Sequence, residues 1–319
     1  MKNNPTISIV IPIFNEEKNV APLAEELAVL FRAAPHESFE VIFVNDGSRD
    51  GTLAELRKVA AGEARFKVIS FARNFGQTAA IAAGFAEARG EIVVPMDGDL
   101  ENDPADILKL AAKLREGFDV VSGWRRGRWK NRPFSRRLPS FVANKIISLA
   151  TGVKLHDYGC TLKAYRREIL SGVKLYGEMH RFIPAYAAAH GAKVAEVPVN
   201  HRARRFGVSH YGMGRTTKVL LDLLLVKFLF NYGDRPIHFF GGLGIGSILF
   251  SALCFLLALY YKISHLKDFV QTPLPIFTAL FFIVGINFIL MGVLAEFFMR
   301  ASYEAGGKAV YEIGEKINF

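Results

Sequence analysis

The chain has 319 residues, 51% hydrophobic and 22% charged, with a positive mean hydropathy, a balance that excludes a single ordinary soluble domain and assigns part of the chain to lipid. Residues 1 to 230 read as a mixed α/β enzyme, whereas residues 237 to 300 are nearly devoid of charge. Two cysteines exclude a disulfide framework, and a formal net charge of +10 leaves nucleic acid, anionic lipid or a phosphorylated substrate as partners.

The opening MKNNPTISIVIPIF has too short an apolar run for a secretory signal and reads as a first strand. Runs rich in Val, Ile and Phe predict strands at Ile7 to Ile13, Val41 to Val44, Lys67 to Ser70 and Ile92 to Met96. Helical spacing predicts Glu17 to Phe31, Thr52 to Ala60, Gln77 to Ala88 and Pro104 to Leu114 between and after them, the last with Asp103 as cap. Such alternation predicts a parallel sheet covered on both faces, with ligands beyond the carboxyl ends of the strands. Further strands are expected at Val120 to Ser122 and Lys193 to Val199, with helices near Pro139 to Ala150 and Arg181 to His190.

The residues after the strands are rich in carboxylates and amides. Asp97 and Asp99 of DGDLEND leave a strand on a sharp turn, and two carboxylates separated by one glycine suit Mg2+ or Mn2+ gripping a diphosphate; an acidic turn is also a common helix cap or solvated loop. In VNDGSRDGT, Asp46 can accept hydrogen bonds from a base or ribose, and Asp50 or Ser48 can simply cap the next helix. PIFNEEKN offers Asn15 and Glu17, the latter also suited to a helix N-terminus.

Two basic clusters follow, one from Arg125 through Arg137 without an acid and one from Arg202 to Lys218 just before the apolar region. Beside a membrane segment they favour an anionic headgroup or lipid phosphate over DNA, and a solvated positive-inside face remains the plainer alternative. Gly212 to Phe230 is amphipathic and suited to the headgroup layer. Ile237 to Tyr261 and Leu274 to Met299 are each long enough for the hydrocarbon core, which predicts a transmembrane hairpin joined by Lys262 to Thr272. The glycines Gly241, Gly242, Gly244 and Gly246 and the polar Asn287 are candidates for close helix approach or self-association. The expected divisions are 1–211 catalytic, 212–235 juxtamembrane, 236–301 transmembrane (about 237–261 and 274–299) and 302–319 as a cytoplasmic tail.

As a set, PIFNEE, VNDGSRDGT, ARNFGQTAA, MDGDLEND, DYGCTLKAYRRE and YGEMHRF resemble the family 2 glycosyltransferases of GT-A fold, in the polyprenyl-phosphate branch that includes dolichol-phosphate mannose synthase and bactoprenol glucosyltransferases. The resemblance covers about residues 5 to 230, and the two spans with the closing YEIGEK resemble the bacterial members. It implies a Rossmann-like, mostly parallel catalytic domain that uses Mg2+ or Mn2+. Pro12, Asn15, Glu17 and Asp46 would then hold the nucleotide, Asp97 and Asp99 the metal and diphosphate, and Glu101, where many relatives have Gln, a third metal ligand. Arg125, Arg136 and Ser140 match positions that hold the acceptor phosphate. Arg204, Arg205, Ser209 and His210 match a loop that closes over the donor phosphates.

Asp157 matches the position usually proposed as base. A phosphate monoester has a second pKa of about 6 and needs little deprotonation, so Asp157 is expected to orient the acceptor or stabilise charge at the anomeric carbon, or else to pair with an arginine. The implied reaction moves a hexose, by resemblance glucose from UDP-glucose, onto undecaprenyl phosphate in a bacterial inner membrane. The catalytic part and both termini are expected in the cytoplasm, with self-association, a flippase and a downstream glycosyltransferase as partners and no nucleic acid. A processive polysaccharide synthase shares the early motifs, yet would need more spans and a QxxRW segment. An inactive nucleotide-sugar-binding scaffold is the alternative from another class.

Overall fold

The structure, a computed structural model, describes residues 5–126, 144–145, 147–148, 151–170, 179–203, 228, 232, 235–304 and 311–319. The expected amphipathic helix, most of the helix near 139–150, and Arg136, Ser140, Arg204, Arg205, Ser209 and His210 lie outside the described residues.

Eight strands form one sheet in the order β7-β5-β6-β4-β1-β2-β3-β8. β1 (Ile7–Ile13), β2 (Phe39–Asn45), β3 (Phe66–Phe71) and β4 (Ile92–Pro95) pair in parallel through the crossover helices α1 (Glu17–Ala33), α2 (Thr52–Gly62) and α3 (Gln77–Glu87). α4 (Asp106–Arg115) leads into β5 (Val120–Trp124), and β7 (Val194–Pro198) runs parallel to it. Because β1 and β2 are central, they are almost wholly apolar rather than alternating. Helices cover the sheet on both sides. α1 lays Val20, Leu23, Leu27 and Leu30 on one core, and α3 buries Ala79, Ala80, Ile81 and Ala83 in the other.

Two strands escaped the sequence reading. β6 (Lys163–Arg166) is antiparallel to both β4 and β5. Four residues, three of them Lys, Tyr and Arg, carry no apolar run to announce a strand. β8 (Ile313–Ile317) is antiparallel to β3, so the stretch expected as a tail completes the sheet. Ile313 and Ile317 pack on the two cores, Tyr311 stacks on Phe71 with centroids 5.1 Å apart, and Arg57 and Lys316 pair with Glu315 and Glu87. α5 (Arg167–Leu170) and α6 (Ile183–Ala189) complete this unit.

The second unit is a helical hairpin, α7 (Pro236–Ile263) and α8 (Leu274–Glu304). Pro236–Ile263 and Leu274–Phe298 have mean hydropathies of 2.3 and 2.4 and are long and apolar enough to cross a membrane. Their outer faces expose Leu249, Leu256, Ile276 and Phe282, as a lipid-facing surface requires. Close approach rests on Gly244 and Gly285, where a Cβ on either would lie 2.7 or 2.8 Å from the other's carbonyl oxygen. Ser247 and Ser251 donate across the seam to the carbonyls of Phe281 and Thr278, each at 2.7 Å. Gly241, Gly242 and Gly246 meet nothing within 4 Å, and Asn287 donates back to Ile283 within its own helix at 2.9 Å.

β8 shields the edge of β3, which otherwise presents unpaired backbone groups. Truncation after residue 310 is therefore expected to lower the thermal midpoint of the purified protein by about 4 °C or more and to promote aggregation, measured by light scattering. An unchanged midpoint would show that β8 adds nothing to the sheet.

Candidate active site

The sheet topology gathers the site at one edge. β4 ends at Pro95 and releases Asp97 and Asp99, and β5 ends at Trp124 and releases Arg125. β6 runs the other way, with Tyr165 opposite Val93 and Arg166 opposite Ile92, so its lead-in, residues 157 to 162, arrives beside the carboxyl end of β4. A parallel strand in that position would have delivered these residues to the opposite edge.

Arg125 and Asp157 meet there as a bidentate pair, Nε to Oδ2 at 2.7 Å and Nη2 to Oδ1 at 3.0 Å, with the two residues only 8% and 7% exposed. Of the alternatives open for Asp157, the structure displays the arginine pairing. The same face of Arg125 that would grip an acceptor phosphate is occupied by this carboxylate, and Glu196 receives the Asp157 backbone N–H at 3.1 Å.

Asp97 lies within electrostatic reach of Arg125 and receives hydrogen bonds from Thr161 and from Gln77, whose Nε2 donates to Oδ1 at 2.9 Å. Burial, then the charges of Asp99 and Glu101, push its carboxyl up to about 6 against the pull of Thr161 and Arg125. Asp99 is buried and caps its own turn, accepting from the Glu101 N–H at 3.1 Å, and Leu100 between them holds a left-handed φ of 64°. Glu101 turns to His201, with Oε2 3.9 Å from Nε2. Among the described residues no three His, Cys, Asp or Glu side chains form a ready-made metal cage. Two neighbouring carboxylates, with Asp97 held up by burial and the charge of Asp99, nevertheless fit a divalent cation that takes its remaining oxygens from phosphate and water.

The loop after β7 is tied to this turn. Arg202 pairs with Asp103 and Glu26 at 2.9 and 2.8 Å and donates its N–H to the Glu101 carbonyl, and Asn200 donates its N–H to Asp106 at 2.6 Å. The chain therefore reaches residue 203 from an anchored base at the acidic turn.

A cleft of about 330 Å³ opens at the ends of β2 and β3, lined among others by Phe14, Asn45, Ser48, Arg49, Phe71 and Asn74. Asn15, at φ 54°, accepts from the Arg49 N–H at 2.9 Å and donates its own N–H to Ser48, while Glu17 accepts from the Gly51 N–H at 3.2 Å. Pro12 is half-buried near the end of β1. Asp46, expected to face a base or ribose, is 3% exposed and shapes the cleft from behind. Its carboxylate accepts from Phe75 N–H at 2.7 Å, Gly76 N–H at 2.9 Å and Asn74 Nδ2 at 2.9 Å. Gly47 makes this grip possible, for at φ +64° a Cβ there would stand 2.3 Å from the Arg73 carbonyl carbon.

Sequence reasoning missed two buried ionisable groups. Lys163 donates to the carbonyls of Tyr158 (3.2 Å) and Cys160, and burial pushes its pKa down to about 8. His180, in YGEMHRF, shares a 2.7 Å hydrogen bond with the Thr78 hydroxyl, and burial drives its pKa well below the usual histidine range. The only available signal was their place inside the quoted motifs.

A mostly parallel sheet with an acidic turn after its fourth strand and a cleft at the neighbouring strand ends defines a transferase of GT-A architecture. The chain belongs to glycosyl transferase family 2, whose model matches residues 8–173. It is 45% identical to the dodecaprenyl-phosphate galacturonate synthase of Rhizobium johnstonii, over 93% of this chain and 88% of that protein. It is 35% identical to the undecaprenyl-phosphate 4-deoxy-4-formamido-L-arabinose transferase of Shewanella sediminis, over 98% and 94%. Among solved structures, the glucosyl-3-phosphoglycerate synthase of Mycobacterium tuberculosis in complex with Mn2+ and uridine-diphosphate-glucose shares the fold at a TM-score of 0.54 and 21% identity, over 70% of this chain and 79% of that one. The mannosyl-3-phosphoglycerate synthase of Rubrobacter xylanophilus does so at 0.56 and 17%, over 70% and 74%.

Two predictions follow from the electrostatics. The folded pKa of Asp97 exceeds its unfolded value of about 3.9, so the folded state holds the extra proton between about pH 4 and 6, and the group costs stability fully above that window and not below it. Asp97→Asn is expected to raise the metal-free thermal midpoint at pH 7.5 by a few degrees, to leave it unchanged near pH 4, and to abolish stabilisation by Mn2+; a retained Mn2+ response contradicts the assignment. For the buried pair, Asp157→Ala strands the Arg125 charge and should cost about 3–5 kcal/mol. The Arg125→Met/Asp157→Leu double variant should recover much of that loss in thermal unfolding, and additive losses would mean the two side chains are uncoupled.

Proposed function

We propose that this chain moves a sugar from a nucleoside diphosphate onto the phosphate of a polyisoprenyl lipid, with inversion at the anomeric carbon. The observation that carries the reading is the meeting of Asp97 with the Arg125–Asp157 pair at one sheet edge, which sets oxygen ligands beside a buried guanidinium. The relative at 45% identity supports the acceptor class by its name, and the apolar hairpin supports a membrane-borne acceptor.

In this reading an oxygen of the lipid phosphate attacks the anomeric carbon, the bond from that carbon to the donor diphosphate breaks, and its electron pair departs with the nucleoside diphosphate. Asp97 and Asp99 would hold a Mg2+ or Mn2+ ion, which when bound would supply charge neutralisation for the diphosphate leaving group. The nucleoside occupies the cleft at β2 and β3, bounded by Asn15 and Arg49 and shaped by Asp46. The attacking phosphate is already anionic near neutral pH, so Asp157 has no proton to remove. It holds Arg125 instead, whose charge lies within electrostatic reach of Asp97. Arg136 and Ser140 as acceptor contacts, Arg204 and Arg205 over the donor phosphates, and Glu101 as a third ligand of the cation remain part of the proposal.

Glucose from UDP-glucose is the donor expected from the sequence. The name of the relative at 45% identity gives galacturonate equal standing, and both are six-carbon sugars. The presence of β8 in the same sheet as β1 supports an even number of crossings and one side for both termini, and the basic flanks support the cytoplasm as that side. On that topology the product forms inside and must be flipped before an outward-facing transferase uses it.

The test is a donor panel. The purified full-length protein with undecaprenyl phosphate, Mg2+ or Mn2+, and UDP-glucose, UDP-galacturonate or a UDP-linked aminoarabinose should yield one lipid-phosphate-linked sugar, identified by product mass. No lipid-linked product with any donor would refute the reading.

A further inference from the structure

The short segment between β3 and α3 is gripped on both sides of a single side chain. On one side the Asp46 carboxylate holds Asn74, Phe75 and Gly76 through the three hydrogen bonds described above. On the other, Thr78 shares its hydroxyl with Nδ1 of His180 at 2.7 Å, and both residues are buried. α3 itself is fixed on the sheet, where Gly84 packs so closely on β1 that a Cβ would meet Val10 at 2.2 Å. Between the two anchors Gln77, the first residue of α3, points its Nε2 at Asp97 Oδ1 from 2.9 Å.

The chemistry of glutamine matters here. Its amide donates a hydrogen bond to a carboxylate without bringing a positive charge that would compete with a cation, or a negative one that would add to the crowding of Asp97, Asp99 and Glu101. One oxygen of Asp97 is thus oriented by a neutral donor, as the second contacts of metal-bound side chains commonly are.

We infer that Gln77 is a positioning residue that fixes the orientation in which Asp97 takes up its divalent cation, and that the Thr78–His180 hydrogen bond in turn fixes Gln77. Neither Gln77 nor His180 touches the reacting atoms in this scheme. The inference rests on the reading of Asp97 and Asp99 as the cation's ligands, and its consequences fall on cation affinity more than on turnover once the cation is saturating.

The experiment titrates Mn2+ into the purified full-length protein and follows free Mn2+ by electron paramagnetic resonance, so no transfer activity is needed. Gln77→Met keeps the length of the side chain and removes the donor; it is expected to weaken Mn2+ binding about 10- to 100-fold. In the transfer assay the same variant should raise the Mn2+ concentration for half-maximal rate by a similar factor, with kcat at saturating Mn2+ within about threefold of the parent. Thr78→Val should weaken Mn2+ binding in the same direction and Thr78→Ser should restore it, a pattern that loss of packing alone would not give. Should Gln77→Met fail to fold by circular dichroism, the Val and Ser pair at position 78 decides. Parent protein that binds Mn2+ together with variants that bind it equally well would overturn the role of Gln77 and leave the metal site standing. Parent protein that binds no Mn2+ would overturn both.

Discussion

The arrangement depends on one constraint of sheet topology: the reversed strand β6, inserted between β4 and β5. In an all-parallel sheet the lead-in to a strand lies at the amino edge, away from ligands. Reversal carries Asp157, Thr161 and Lys163 to the carboxyl edge, where β4 and β5 release Asp97 and Arg125. These three short strands thereby bring together side chains as far apart in sequence as Asp97 and Thr161.

Charge then determines what that site can hold. Arg125 and Asp157 neutralise each other with both oxygens engaged, a geometry that makes a buried ion pair tolerable. At Asp97, burial and the neighbouring charge of Asp99 raise the pKa to about 6. A site with one satisfied ion pair beside a carboxylate that resists ionisation suits added positive charge. Stability withheld from the metal-free fold is available to binding.

The legible part of the sequence was the part in which local pattern and tertiary role coincide. β1 to β4 and their helices announced themselves because buried central strands are apolar throughout and their crossovers carry a helical stripe. The acidic turn and both spans were legible for similar reasons. β6 was not, since KAYR is short and polar, and its burial comes from neighbours on both sides. β8 offered an alternation, Ile-Gly-Glu-Lys-Ile, too brief to distinguish from a tail. The protein partners of Asp46 depend on how closely the loop at Arg73 to Gly76 approaches Gly47, which no local pattern records. Lys163 and His180 are polar residues whose burial is decided by the strands and helices stacked over them.

The central claim is that Asp97 and Asp99 hold a cation in direct contact with the donor diphosphate. Its most direct test is the 31P relaxation of UDP bound to the purified protein, with Mn2+ as the paramagnetic ion. The account predicts strong Mn2+-dependent broadening of both phosphorus signals in the parent protein and its loss, with UDP still bound, in the Asp97→Asn/Asp99→Asn variant. Bound UDP whose phosphorus signals ignore Mn2+ in the parent, or broaden equally in the variant, would contradict it.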